Sequence, residues 1–384
     1  MKTIKDININ GKKVILRAGF DMPLDENGNI TDDSRIKETI PTIKYIIERA
    51  RQLIIISHMG RPEGKIVAKL KNDVVKRKLE QLLGVEVIKL DSCINITIPN
   101  DKKIILLENL RFHIGEEKND PEFAKKLASY ADIYCNEAFS VMHRDAASIT
   151  GITRYLPGCV GFLVEKELKY LNLGNAQRPM VAILGGSKIS TKLPVINELL
   201  KKTDYLLLGG AMIFTFYKAK GYEIGKSLYE KDQLDMAKLL LNNEKLVLPT
   251  DVVVAKEIKE YAENKTVNVE QIPPEYIGLD IGEESVKRFR KILDKAKTIV
   301  WNGPLGKFET KPFDTATNDI ARYLTQLNAI VIVGGGETAD AIDRLGIKEK
   351  ITHVSTGGGA SLEMLSGKVL PGIKALEENE IEYF

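Results

Sequence analysis

Three consecutive glycines stand in HVSTGGGASLEML, residues 353 to 365, between a short β-branched run and an amphipathic continuation. Glycine loses more backbone entropy on ordering than any other residue, so the placement implies a tight turn or the close approach of a ligand. Similar clusters follow apolar runs at Gly185–Gly186, Gly209–Gly210, Gly303 and Gly334–Gly336. One such junction is an ordinary turn. Five in one half of a chain point to anions, because amides at a helix start sit at the positive end of its dipole. Lys188 and Lys192 add two ammonium groups four residues apart just after Gly185–Gly186. On one helix face they would repel, unless a polyphosphate lies between them. The N-terminal part carries fixed charge instead. Nine of the fourteen arginines lie in the first 154 residues. Arg17, Arg35, Arg61, Arg111 and Arg144 fall at or beyond strand ends or at loop starts, where a guanidinium can grip a carboxylate or phosphate with two parallel bonds. His58 lies among them. Arg49, Arg51 and Arg77 sit in helical patterns and read as solvated; His113 and His353 read as structural.

The elements that position these residues are short apolar runs, each followed by a loop and a helical pattern. KVILRAGFD, QLIIISHMG, VEVIKL, KIILLENLRF and DIYCNEAF form the first series. VAILGGSK, YLLLGGAM, KLVLP, TIVWNGP, AIVIVGGGE and THVSTGGG form the second. Runs without polar alternation suit strands buried on both faces, and the intervening helices predict parallel α/β sheets. In such sheets ligands bind beyond the carboxyl ends of the strands. The stretch VGFLVEKELKYL between the two series has helical spacing and predicts a stiff helical connector.

At 384 residues the chain is long enough for two domains. Its 43% hydrophobic and 28% charged residues are globular composition, and a net charge of +3 gives no argument for nucleic acid or an anionic membrane. Cys93, Cys135 and Cys159 are widely spaced and odd in number, which suits reduced thiols. The first residues lack a signal-peptide core, and no apolar run reaches the ~20 residues of a membrane span. A soluble, cytoplasmic protein is expected.

Two phosphate motifs compete. GYEIGKS (221–227) has three residues between its glycines where a P-loop needs four, and it follows a helical stretch, so it is rejected. GGGETA (334–339) fits the permissive dinucleotide fingerprint after a strand. The acidic residue that fingerprint needs at the end of the next strand is missing, since that run closes with His353, Val354, Ser355 and Thr356. A nicotinamide-dependent dehydrogenase thus remains an alternative on GGGETA alone, as does a non-catalytic two-domain anion-binding protein.

Taken in order, SHMGRPEGK (57–65), LLENLRFH (106–113), LGGSKISTK (184–192), GGAMIFTF (209–216), TIVWNGPLGKFE (298–309), GGGETA, HVSTGGGASLEML and LPGI (370–373) resemble the signatures of phosphoglycerate kinases over nearly the whole chain. The resemblance implies two Rossmann-like three-layer α/β domains joined by a helix: residues 1–157 for the phosphoglycerate, 158–175 as the interdomain helix, 176–368 for the nucleotide, and 369–384 packing back on the first domain. It implies reversible phosphoryl transfer between 1,3-bisphosphoglycerate and ADP, giving 3-phosphoglycerate and ATP with Mg²⁺, in a cytoplasmic monomer. By motif, Arg35, His58, Arg61, Arg111 and Arg144 would hold the glycerate. Lys188 would meet the transferring phosphoryl group, Lys192 the nucleotide phosphates, Glu309 the ribose, and Gly209 and Gly210 the adenine. Asn302 with Gly335, Gly336, Glu337 and Thr338 would border the phosphates and the metal. Phosphoryl transfer needs in-line positioning and stabilised charge more than covalent chemistry, which Arg35, Lys188 and the amides of Gly357, Gly358 and Gly359 would supply. Domain closure would then exclude water from the acyl phosphate.

Four positions depart from the family pattern. In RAGFDMP, Gly19 stands where an Asp is usual and Asp21 where an Asn is usual; residues two apart in extended chain point the same way, so Asp21 is expected to take over the missing carboxylate's contact with the glycerate hydroxyl. Glu337 replaces an Asp as candidate Mg²⁺ ligand, one methylene longer. Ala146 replaces a histidine, and Asp314 a glycine.

Overall fold

The computed structural model describes residues 1–381, and the chain forms two compact units. One comprises Met1–Lys169 with the chain from Val369 onward; the other is Tyr170–Lys368. The last three residues of the expected C-terminal segment, 382–384, lie outside the described residues.

The first unit is built on β1 (Lys13–Ala18), β2 (Gln52–Ile56), β3 (Ile88–Lys89), β4 (Ile104–Leu106), β5 (Ile133–Glu137) and β6 (Gly158–Val160). They form one parallel sheet in the order β3-β4-β2-β1-β5-β6. Every residue of β2 and β5 is buried, so their centres are apolar, and the polar Gln52, Asn136 and Glu137 stand only at the strand ends. Register sets Arg17 on β1 opposite Ile56 and Asn136, so Arg17 and the chain two residues beyond Ile56 emerge at the same carboxyl edge. The C-terminal helix Pro371–Glu377 closes this unit; Gly372 N donates to Met142 O, and the Asn379 amide donates to the carbonyls of Thr153 and Leu156.

The second unit holds β7 (Met180–Leu184), β8 (Tyr205–Leu208), β9 (Leu246–Val247), β10 (Asp251–Ala255), β11 (Asn264–Asn268), β12 (Ile277–Ile281), β13 (Thr298–Asn302), β14 (Ile330–Gly334) and β15 (His353–Val354). Its parallel sheet runs β15-β14-β13-β7-β8-β9, and β11-β10-β12 form a separate antiparallel sheet. Asn302 lies between Leu184 and Gly334 in register, so the loops after β7, β13 and β14 leave the sheet side by side. Trp301 is fully buried, and its indole N–H donates to Gly303 O at 2.7 Å, tying the β13 exit to the strand below it.

The connector differs from the expected single helix over 158–175. Residues 158–160 are strand β6, and the helix is Phe162–Leu171, followed by a 3₁₀ turn at Leu173–Asn175. The small, β-branched GCV triplet extends the sheet beside β5 before the helical spacing takes over.

Candidate active site

At the carboxyl edge of the first sheet the charged residues form one connected group. Arg17 is buried at 2% exposure on β1; its guanidinium donates to the Ser148 hydroxyl at 2.8 Å, to Ala18 O at 2.5 Å and to His58 Nδ1 at 2.9 Å. Glu116 backs it, accepting from the Ser148 amide and hydroxyl and lying 3.9 Å from the guanidinium. A guanidinium can only donate, so His58 Nδ1 accepts and the imidazole proton sits on Nε2, facing Asp21 Oδ2 at 3.6 Å. Burial, with the charges of Arg17 and Arg111, brings the His58 pKa down to about 3 against the pull of Asp21. The ring is therefore neutral. Asp21 Oδ1 accepts from the Gly60 amide at 2.8 Å, and Arg35, in the first turn of the helix Ser34–Arg49, donates to Asp21 O. Burial works against ionisation of Asp21, but the His58 N–H, the Gly60 amide and the Arg35 charge hold its carboxyl below the usual range.

Arg111 donates to Gly60 O at 2.8 Å and lies 3.6 Å from Glu117. With Arg17 and the exposed Arg144 it lines a cavity of about 260 Å³. Ala146, at the position of the missing histidine, forms part of that wall. Thus Asp21, Arg35, His58, Arg111 and Arg144 converge, whereas Arg61 is exposed on the loop beyond Gly60, with no hydrogen bond or ion pair to any of them among the described residues. Two positioning residues escaped the sequence reading. Arg17 was seen as charge at a strand exit, but its brace lies 131 residues away. Asn109 accepts from the amides of Met59 and Arg111 and donates to the carbonyls of Met59 and Leu70, fixing two ligand loops to each other.

The second unit contains a cavity of about 340 Å³. Phe214, Ile258, Ile277, Leu279 and Leu305 make it apolar; Ser187, Glu309 and Glu337 give it polar ends. Glu309 is exposed there and lies 3.2 Å from the Lys307 ammonium. Lys192 lays its stem along Gly186, which lines the cavity, and donates to Asn302 Oδ1 at 2.7 Å. Burial lowers the Lys192 pKa, and Glu337 opposes that. Thr338 accepts from the Gly303 amide at 2.7 Å, and Gly335 caps the helix Gly336–Arg344 that carries Glu337. Asp280, unremarked in the sequence, is a buried carboxyl on the cavity wall; burial pushes its pKa well above the usual range, against the amides of Ala316 and Ile281.

Three expectations change. The glycines of the strand exits do not all present open backbone. A Cβ at Gly185 would stand 1.9 Å from Pro304 O, and one at Gly210 2.5 Å from Gly186 N, so these loops interlock through absent side chains. Gly210 lines the cavity, but Gly209 is buried behind it and is not part of the wall. Lys188 and Lys192 do not share a helix face: Lys188 is the extended residue before the helix Ile189–Lys202 (φ −128°, ψ 126°), and only Lys192 turns inward to Asn302. Nor are the first amides of that helix open, because Ser190 N donates to the Glu230 carboxylate. Gly357 to Gly359 lie off the cavity wall. Gly358 adopts φ +51° at the start of the helix Gly359–Leu365, and Gly357 N donates to Ser355 Oγ, which is paired with Ser361. Asp314 has an ordinary helix-start conformation (φ −94°), so nothing there requires glycine, and its carboxylate accepts from the Asn318 amide.

Two parallel-sheet α/β units, one with a guanidinium cluster and the other with an apolar cavity flanked by a lysine, an amide and a carboxylate, have the parts a phosphotransferase needs. A family model described as phosphoglycerate kinase matches residues 4–368. The chain is 48% identical to the phosphoglycerate kinase of Gloeothece citriformis, covering 98% of this chain and 99% of that one. It is 47% identical to the cytosolic phosphoglycerate kinase of Triticum aestivum over 98% of both chains. The solved phosphoglycerate kinase of Coxiella burnetii superposes with a TM-score of 0.91 at 39% identity, and that of Pyrococcus horikoshii with 0.83 at 30%, each covering 98% of both chains. The chain belongs to the phosphoglycerate kinase family. Its activity is the reversible phosphoryl transfer between 1,3-bisphosphoglycerate and ADP, giving 3-phosphoglycerate and ATP. The dehydrogenase and non-catalytic alternatives fall with that assignment.

Proposed function

We propose that Asp21, Arg35, His58, Arg61, Arg111 and Arg144 bind 3-phosphoglycerate or 1,3-bisphosphoglycerate, and that the second-unit cavity binds ADP or ATP. The base would lie against Phe214, Ile277 and Leu305 beside Gly209 and Gly210, with the ribose at Glu309. Lys192, Asn302 and residues 335–338 would border the phosphates. Arg35, Lys188 and the amides of Gly357, Gly358 and Gly359 would stabilise charge on the phosphoryl group in transit. The observation that carries this reading stands beside the cavity wall, where the half-buried Lys192 ammonium is held by a neutral amide and feels the charge of Glu337 on that wall.

Mg²⁺ is consistent with that end. No group of three or more metal-ligating side chains occurs among the described residues, and Mg²⁺ characteristically takes one or two carboxylates and completes its shell with water and phosphates. Glu337, exposed on the wall, would hold it together with the nucleotide, where the ion would screen phosphate charge. No helix among the described residues is long and apolar enough to cross a membrane. We place the enzyme in the cytoplasm as a monomer, with no nucleic-acid or membrane partner.

Calorimetric titration of single variants tests the division of ligands. Arg111→Ala should abolish 3-phosphoglycerate binding and leave ADP binding intact, and Lys192→Ala should do the reverse. Loss of both ligands in either folded variant would refute it. Glu337→Gln with unaltered Mg²⁺ dependence would remove the metal assignment.

A further inference from the structure

The segment GYEIGKSLYE, too short for a phosphate loop, has another use in the structure. Gly225 has φ +57°, and a Cβ there would meet Tyr276 O at 2.3 Å and Pro273 O at 2.6 Å, so the turn is seated on the chain leading into β12. Lys226 N donates to Tyr276 O at 2.8 Å, and the Gly278 amide donates to Ser227 Oγ at 2.9 Å. Gly278 is itself part of the apolar cavity wall. Leu228 comes next and lines the same cavity while 52% exposed, so a base bound there would cover it. Two residues on, Glu230 N donates to the buried Thr215 hydroxyl at 3.1 Å. The Glu230 carboxylate then accepts from the Ser190 amide at 3.0 Å and from the Ser190 hydroxyl. It thereby occupies the positive end of the helix Ile189–Lys202, immediately beside Lys188.

We propose that residues 226–230 are a strap that couples the base end of the cavity to the phosphate end, with Glu230 as the positioning residue that aims Lys188. The proposal rests on the assignment of Lys188 to the transferring phosphoryl group. Because Lys188 is the last extended residue before the helix, the direction of its side chain depends on where the first helical turn is held. Ser190 lies in that turn, and the ligand that holds it is Glu230. A base covering Leu228 loads the strap at one end; the carboxylate transmits the load at the other. Burial disfavours the Glu230 charge, yet the Ser190 hydrogen bonds, the nearby Ile189 amide and the Lys188 charge lower its pKa, so the carboxylate stays ionised.

Steady-state kinetics of the full chain with ATP and 3-phosphoglycerate test this, with melting temperatures measured alongside. Glu230→Ala should lower kcat by about 10- to 100-fold, the cost of a misdirected group. The KM for ATP should move less than about threefold, since Glu230 does not line the cavity. Glu230→Gln keeps an oxygen for Ser190 and should recover most of kcat. Leu228→Ala should lower kcat less in a Glu230→Ala background than alone. Unchanged kcat in Glu230→Ala, or a parallel loss in kcat, KM and melting temperature without rescue by Gln, overturns the positioning role; additive losses overturn the coupling to Leu228. Lys188→Met separates the two layers. If it loses kcat while Glu230→Ala does not, the strap alone fails; if it retains kcat, the assignment of Lys188 fails.

Discussion

Acid lability of the first unit should be concentrated in His58. The ring is 1% exposed, and Arg17 fixes its Nδ1 as an acceptor. Protonation would set a second donor against the guanidinium at 2.9 Å, so the bond to Arg17 is lost when the ring charges. The facing charges are Arg17 and Arg111, which disfavour the proton, and Asp21, which favours it without prevailing. Burial and the two arginines bring the folded pKa from 6.5 to about 3. The unfolded chain therefore binds a proton from pH 6.5 downward, while the folded chain refuses it until about pH 3. Stability from this group is fully present above pH 6.5 and is lost as pH falls through that window. At about 1.4 kcal/mol per pH unit, the ceiling is roughly 5 kcal/mol, of which roughly 2.7 would be spent by pH 4.5.

His58→Gln isolates the effect. A Gln oxygen can accept from Arg17 and its amide can donate toward Asp21, with no charge at any pH. Urea unfolding monitored in the first unit at pH 4.5, 5.5, 6.5 and 7.5 should show the gap between wild type and variant narrowing as pH falls, by about 2 to 3 kcal/mol over the range. Comparing the two proteins at each pH cancels the titrating groups that do not contact residue 58. In parallel, the His58 Cε1 proton resonance should stay at its neutral position down to pH 5. A ring titrating near pH 6, or pH profiles that run parallel, would refute the reasoning.

Other perturbations follow from the same geometry. Glu137 is buried and accepts from Thr42 and from the Leu163 and Val164 amides at the start of the helix Phe162–Leu171; burial lifts its pKa to about 7 from 4.5. Here the folded state keeps its proton longer than the unfolded one, so stability present below pH 4.5 is lost as pH rises toward 7. Glu137→Gln should flatten that decline in melting curves taken at pH 5 and pH 8. Gly185→Ala forces a methyl within 1.9 Å of Pro304 O and should cost roughly 3 kcal/mol or more, whereas Gly336→Ala meets nothing within 4 Å and should leave the melting temperature unchanged. Gly19→Asp combined with Asp21→Asn should leave the 3-phosphoglycerate KM nearly intact, because a Cβ at residue 19 has ordinary 3.5 Å clearance from Ala138 and Ser140. A large fall in kcat/KM would count against Asp21 as the substitute carboxylate.

The parallel sheets were legible because their strands are buried on both faces and read as continuous apolar runs, from QLIII to TIVWN. The antiparallel sheet was not. Strand β11, NKTVN, is exposed at four of its five positions, and β12 carries Gly278 and the buried Asp280 in its interior. Neither shows an apolar period, since each pairs with β10 alone, β11 faces solvent and β12 faces the cavity. The arginines could be found because long cations at strand exits have few uses besides binding. Which of them is a brace could not, because Arg17 and Arg144 line one cavity and differ in what the rest of the chain brings: Ser148 and Glu116 bury the first, while the second stays exposed.

The same limit explains the glycines and the lysine pair. A sequence reports that a side chain is absent, but not whether ligand or protein fills the space. At Gly185 and Gly210 the protein fills it, packing three strand exits against one another. That rigidity has a consequence for Lys192. Its stem lies on Gly186 and its ammonium on Asn302, two of those interlocked exits, so it is held in place before any phosphate arrives. Lys188 has no such floor. It precedes the helix, is exposed, and depends on a turn fixed by a carboxylate 42 residues further along the chain. On the proposed roles, one lysine would be preorganised by the sheet and the other by a strap that a bound nucleotide would cover. A group meant to act only when the cavity is full is better hung on the second than on the first.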